Sequence, residues 1–308
     1  MKFVRGLKFE SKLTGLLAAL VATLVLATST AASAHGIVGP RLFPEPFATE
    51  DANPANEFVI AKPSYLPTEE GHEFEYEFLV EKTIFERTSI GFESGYVREK
   101  EEEESESGFE NLEVFIKQAF FKSPMHEFIF SGILAGEINT GDEDIGAEEL
   151  PAVEVRFSVG KGLGDIPDNL KYLRPISIQA DSGITIPIGS GTEEETADVL
   201  SYNFTLVYSM LYLATMVKDL GLPYFFNRLF PVVEFNFQTT LQGPEREGTS
   251  GFIRPGFFWV GKFFEAGLAA NVPIDNEESD GTGFVGIFTI FLDDVFPALR
   301  KPLFKWIR

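Results

Sequence analysis

His126 and Glu127 are the best acid/base pair in the chain, and Ser123 and Ser131 lie close to them in sequence. A serine activated by a histidine is the arrangement of acyl transfer, and its members must lie within hydrogen-bond reach. In a membrane barrel such a hydrolase would act on lipid. Adjacency in sequence does not supply the geometry; the alternative is a His-Glu pair that packs at the start of a strand. Gly160, Gly162 and Gly164 suggest a phosphate loop. A dinucleotide fingerprint needs its third glycine three residues after the second and a helix behind it. Pro167 and the observed spacing point to a tight turn after a strand instead. The acidic runs lack the glycine and terminal Glu of a calcium loop, so no metal or other cofactor is expected from them.

A different chemistry rests on ionisable residues set at every second position. Glu73, Glu75, Glu113, Glu154, Arg156, Glu234 and Glu265 each alternate with apolar neighbours. If the polar faces of those strands line a pore, carboxylates there favour cations. The alternative is a closed barrel in which the Glu residues pair with Arg156, Lys117 and similar partners, as small barrels are often filled by side chains.

Composition limits the choices. Lys plus Arg number 25 against 47 Asp plus Glu, a net charge of −22. Such a chain has no basic excess with which to release phosphate counterions, so nucleic acid is not an expected partner. Cysteine is absent, which excludes disulfides, thiolate zinc sites, iron–sulfur clusters and a thiol nucleophile. Aromatics are abundant, with 32 Phe and 8 Tyr, and aromatic residues favour strands.

The elements that would position these residues are strands. Phe74, Tyr76, Phe78 and Val80 alternate with Glu73, Glu75, Glu77 and Leu79. Val153, Val155, Phe157 and Val159 alternate with Glu154, Arg156 and Ser158, and the run from Leu200 to Tyr212 and that from Val233 to Gln238 repeat the pattern. A period of two marks strands with one apolar and one polar face. Less regular stretches at 88–98, 126–137, 251–260 and 282–292, with a first strand at 57–62, complete twelve. A short helix is expected near 217–228. The longer runs suit the roughly 9–11 residues of a membrane-spanning strand, whereas soluble strands usually run about five or six. The expected fold is therefore all-β, an antiparallel transmembrane β-barrel with apolar residues toward lipid and polar ones toward a wet lumen.

The connections agree with that parity. Every second one is acidic, at 99–106, 139–150, 189–198, 243–249 and 274–281, and these are expected outside the cell. The intervening ones at 85–87, 122–125 and 261–262 are short. Two others, 161–174 and 214–228, are longer and carry Lys161, Lys171, Arg174, Lys218 and Arg228. Lys161, Asp165, Asp168 and Arg174 form a turn motif on this presumed periplasmic side.

The first 34 residues read as an address. Lys2, Arg5, Lys8 and Lys12 precede an apolar core, Leu16 to Ala27, and Ala32-Ser33-Ala34 closes it. These are the parts of a secretory signal peptide cleaved after Ala34. The leader carries four basic residues and one acid, so its removal takes the net charge from −22 to −25. Cleavage would expose His35, whose amine and imidazole suit copper if His72 or His126 joined them; the long strands and missing cysteines argue against such a site. Residues 35–56, with Pro40, Pro44, Pro46 and Pro54, read as a periplasmic arm or plug. The barrel is expected over 57–292 and a tail over 293–308.

The segments His35-Gly-Ile-Val-Gly-Pro-Arg-Leu-Phe-Pro and Gly160-Lys-Gly-Leu-Gly-Asp-Ile-Pro-Asp, with Leu173-Arg-Pro, resemble uncharacterised proteobacterial outer-membrane barrels. Those are similar to the transporter-like barrels of the phenol meta-degradation pathway family. The resemblance spans most of the mature chain, and its motifs are structural and name no substrate. It implies a Gram-negative outer membrane, neighbouring lipid and lipopolysaccharide, the barrel assembly machinery as a partner, and passage of small solutes. Such barrels usually end on a terminal aromatic. Here Phe291 ends the last strand and a tail, Leu292 to Arg308, follows.

Overall fold

The computed structural model describes residues 36–68, 71–101, 104–142, 145, 151–188, 198–241, 248–274 and 281–304. The expected signal peptide, its cleavage point and His35 lie outside the described residues, as do most of the acidic connections beyond 142, 188, 241 and 274. Twelve strands form the wall. They are β1 (Glu57–Pro67), β2 (Gly71–Phe85), β3 (Thr88–Glu101), β4 (Leu112–Ser123), β5 (Phe128–Ile138), β6 (Ala152–Gly162), β7 (Ile176–Pro187), β8 (Val199–Tyr208), β9 (Leu229–Thr240), β10 (Thr249–Val260), β11 (Phe264–Pro273) and β12 (Gly283–Phe291). Each pairs antiparallel with the next. β12 returns to β1 with Phe291 opposite Glu57 and Phe284 opposite Tyr65, which closes the barrel and leaves no edge to be capped.

The two faces are inverted relative to a water-soluble protein. Phe92, Leu134, Phe157, Leu268 and Phe284 are exposed on the outside, while Ser131, Gln179, Thr205, Asn271 and Thr289 are fully buried inside. An apolar solvent around the wall is the condition under which both placements are favourable. β1 starts and β12 ends at the same end of the barrel, here called the terminal end. The short turns 86–87 and 261–263 and the longer connections 163–175 and 209–228 lie at that end, with Lys171, Arg174, Lys218 and Arg228 on them.

Three local readings need correction. The alternation that runs on to Tyr212 stops being a strand at Tyr208. Ser209 caps a helical turn by accepting the Tyr212 N–H at 3.0 Å, and Tyr212 is buried. Helical residues accordingly fall at 210–217 and 226–228 rather than across 217–228. The acidic run 99–106 is largely strand. A short extra strand, Glu104–Phe109, pairs with the far half of β3, so that this hairpin overshoots the wall. The period-two signal there was masked because both faces of the overshoot meet water and carry Glu and Ser.

Apolar packing inside the barrel depends on residues 36–56. Phe47 stacks on Phe258 with ring centroids 4.6 Å apart, beside Phe230 and Val260. Val38, Phe43 and Ala52 pack with Ala119 and Ile129. Each buried Phe contributes about 1.5–3 kcal/mol. The lipid-facing wall has the opposite requirement. Leu134, 51% exposed in the middle of β5, should tolerate a charge badly. Leu134→Arg is expected to lower unfolding free energy in lipid vesicles by about 2–4 kcal/mol, read from denaturant titrations.

Candidate functional site

The site is the lumen, and its floor is the segment 36–56. That segment enters as a small hairpin, Ile37–Val38 against Arg41–Leu42. Gly39 holds a φ of +66°, and a Cβ there would lie 2.1 Å from the Pro124 carbonyl oxygen. No side chain fits so close an approach. Beyond the hairpin, Pro44, Pro46 and Pro54 carry no N–H, so the chain cannot pair as a strand and has fewer donors to satisfy.

The wall satisfies the remaining backbone groups. Glu234, fully buried, accepts the N–H groups of Phe47 (3.0 Å), Ala48 (2.6 Å) and Thr49 (2.8 Å). Asp181 accepts from Glu50 at 2.7 Å and Glu81 from Ala55 at 2.8 Å. Gln179 donates to the Pro44 carbonyl at 2.9 Å, Ser158 to that of Glu50 at 2.5 Å, and Ser131 to that of Ala52. The bonds to Glu234, Asp181 and Glu81 are charge-assisted, and such bonds are roughly twice as strong as neutral ones.

A second lock closes the terminal end. Arg41 is fully buried and donates to Glu127 Oε2 at 3.0 Å, to the Pro175 carbonyl at 2.9 Å and to the Arg174 carbonyl. Its guanidinium lies 3.8 Å from the centre of the Tyr212 ring. Glu127 accepts the Tyr212 hydroxyl at 2.8 Å and the Gly164 N–H at 3.1 Å. One ion pair thus ties the hairpin to three connections. Glu127 adopts a left-handed φ of 46°, which turns its carboxylate inward while His126 stays exposed at the barrel end. His126 Nδ1 faces Asp165 at 3.3 Å, and Ser131 points into the lumen. His126, Glu127 and Ser131 therefore occupy separate environments, while Ser123 ends β4 at the same end as His126. Lys161 holds Asp165 at 3.1 Å, and Arg174 holds Asp168 at 2.8 Å and the Ile166 carbonyl, which staples the 163–175 connection. The hydrogen bond from Lys161, and then that from His126, keep the Asp165 carboxyl below its ordinary value.

Above the floor lie cavities lined largely by acidic side chains. A cavity of about 260 Å³ is lined by Ala48, Lys62, Glu77, Glu93, Glu113, Glu154 and Arg156 among others. A second, of about 230 Å³, is lined by Glu75, Glu77, Glu93, Glu110, Glu113 and Glu137 with Ser94 and Asn111. The lumen residues chosen from sequence thus divide into three groups. Glu75 and Glu113 line the vestibule, and Glu73 sits nearer the mouth on β2. Glu154 and Asp181 share Arg156, at 2.6 and 2.9 Å. Glu234 and Glu265 lie under the floor, both buried. Glu77, Glu93, Glu110 and Glu137 were missed as vestibule residues. Glu77 shares the parity of Glu73 and Glu75 and was legible; Glu110 sits in a connection and carried no periodic signal.

Replacing Arg41 with Met would leave Glu127 buried without its cation. The variant is expected to lose about 3–5 kcal/mol of stability, measured by denaturant unfolding of the folded barrel. Adding Glu127→Gln should recover a large part of that loss.

No family model matches the chain, and no curated protein matches it. Several solved structures share its fold. An outer membrane channel from Pseudomonas putida F1 superposes with a TM-score of 0.52 at 10% identity, over 81% of this chain and 99% of that one. The KdgM porin gives 0.43 at 7% identity, over 75% and 97%. LpxR from Salmonella typhimurium gives 0.43 at 10%, over 76% and 99%. None of these names the phenol meta-degradation family that the sequence resembles. At such identities the likeness concerns architecture alone, and that architecture is the closed antiparallel β-barrel of outer-membrane proteins.

Proposed function

We propose that the protein is an outer-membrane channel for small solutes whose vestibule favours cations and whose floor is a plug. The observation that carries this reading is the vestibule itself. Glu75, Glu77, Glu93, Glu110, Glu113 and Glu137 converge on adjoining cavities, where Lys62 and Arg156 supply the facing cations. Lys62 is held by Glu77, and Arg156 by Glu154 and Asp181, so the local field remains negative. Carboxylates lining a pore lower the barrier to cations and raise it to anions. The likeness in fold to the Pseudomonas channel supports a role in passage, and the sequence resemblance points the same way. On this reading the chain is exported through a cleaved signal peptide, folded by the assembly machinery and seated in the outer membrane of a Gram-negative cell. Its acidic far-end connections then face lipopolysaccharide, with divalent cations bridging carboxylates to phosphates.

The test is the reversal potential across a planar bilayer under a salt gradient. Cation preference is expected, weakening as ionic strength rises and the Debye length shrinks. Glu75→Gln, Glu93→Gln and Glu113→Gln together should move the reversal potential toward zero. Anion preference in the parent chain would contradict the reading.

A further inference from the structure

Under the vestibule, the floor and the wall meet through carboxyl groups that the plug's backbone bonds do not account for. Asp51 and Glu265 are 4% and 1% exposed, and Glu57 is equally buried. Asp51 Oδ1 and Glu265 Oε1 are buried and meet no donor. A buried carboxylate oxygen without a donor costs its full desolvation energy unless it carries a proton.

The surrounding charges do not relieve them. From the plug come Glu45 and Glu50; from β1 Glu57; from β2 Glu81; from β4 Lys117; from β11 Glu265. Lys117 is committed to Glu50 at 2.7 Å and Glu81 at 3.1 Å. Lys122 acts on Asp51 from longer range but donates to Asn53, and Lys62 acts on Glu45 but is held by Glu77. Arg156 acts on Glu50 and is shared by Glu154 and Asp181. Among the described residues no three such side chains are arranged to hold a metal ion. Protons are the remaining way to neutralise the excess.

We propose that Glu45, Asp51, Glu57 and Glu265 form a proton-binding site at the contact between plug and wall, and that loss of its protons releases the plug. Neutral carboxyls can share hydrogen bonds across the contact, whereas ionised ones on both sides repel. The groups on the plug behave accordingly. Burial, and then the charges of Glu57 and Asp51, push the Glu45 carboxyl well above its ordinary value. Burial pushes Asp51 up to about 7 against the pull of Lys117. Glu50 goes the other way, because Lys117 and Arg156 outweigh its burial. A carboxyl raised in the docked state favours docking fully below the ordinary carboxylate range of about 4. That contribution is lost as pH rises through the raised value, here near neutrality.

The chain lacks cysteine, so Ala48→Cys gives a single attachment point for a spin label on the vestibule side of the plug. The labelled full-length barrel, folded in lipid vesicles, is titrated between about pH 5 and about pH 9, either side of the value of about 7 at Asp51. Gel mobility with and without boiling confirms at each pH that the barrel is intact. The mobile fraction of the label should rise several-fold with a midpoint near neutrality. In the same labelled chain carrying Asp51→Asn and Glu265→Gln it should stay low at the alkaline end. Should that pair fail to fold, Asp51→Asn alone should shift the midpoint upward. A mobile fraction independent of pH in the parent, or a foldable variant that titrates like it, would overturn the proposal. The readout is plug motion rather than current, so a barrel that conducts nothing would defeat the channel reading and leave this one standing.

Discussion

A buried peptide backbone must find partners for its N–H and C=O groups, and this requirement organises the lumen. Residues 43–56 cross the barrel interior without pairing as a strand, so the wall must supply what a sheet would have supplied. It does so with carboxylates and hydroxyls carried on the inward parity of β2, β5, β6, β7 and β9. A carboxylate placed to accept three successive N–H groups, as Glu234 is, costs little there because the plug replaces the water it would otherwise hold. The same residue in an unplugged lumen would simply be solvated. The polar inner face of this barrel is therefore complementary to one particular segment over its terminal half, and lines cavities over its far half.

That division explains why an acidic interior is tolerable. Charges of one sign crowded together destabilise a fold, yet each half relieves them differently. Over the floor, backbone donors take up Glu234, Lys117 takes up Glu50 and Glu81, Arg156 takes up Asp181 and Arg41 takes up Glu127, and the proposed protons relieve the others. In the vestibule the carboxylates line cavities, where solvent and salt can screen them. The outer surface takes no part, since its exposed Phe, Leu and Ile side chains need only a hydrocarbon solvent.

Much of the wall was legible because lipid outside and polar groups inside write a period of two into the sequence. β6, β7 and β9 show it almost without interruption. It fades in β5, β10 and β12, where Gly and Ala occupy places on both faces. It misleads past Tyr208, because a serine cap bends the chain while the spacing of Tyr208, Met210 and Tyr212 still looks extended. The ionisable lumen residues were recognisable as a class, but their division between floor and vestibule was not. Barrel closure brings Arg41 to Glu127 and Phe47 to Glu234 across long stretches of chain, and no local pattern encodes such pairs. A solvated carboxylate and one that holds a plug look alike in sequence.

Residues 41–56 occupy the lumen, and on the proposed reading they must move before anything passes. Thr49 on the plug and Thr205 on β8 face each other with their hydroxyls 2.6 Å apart, and the chain has no other thiol to interfere. Thr49→Cys with Thr205→Cys should therefore form a disulfide that pins the plug. Single-channel conductance of that variant, oxidised and then reduced, is the direct measurement. A plug that must move gives a silent oxidised barrel that conducts once the bond is reduced. An oxidised barrel that conducts as well as the reduced one would contradict it.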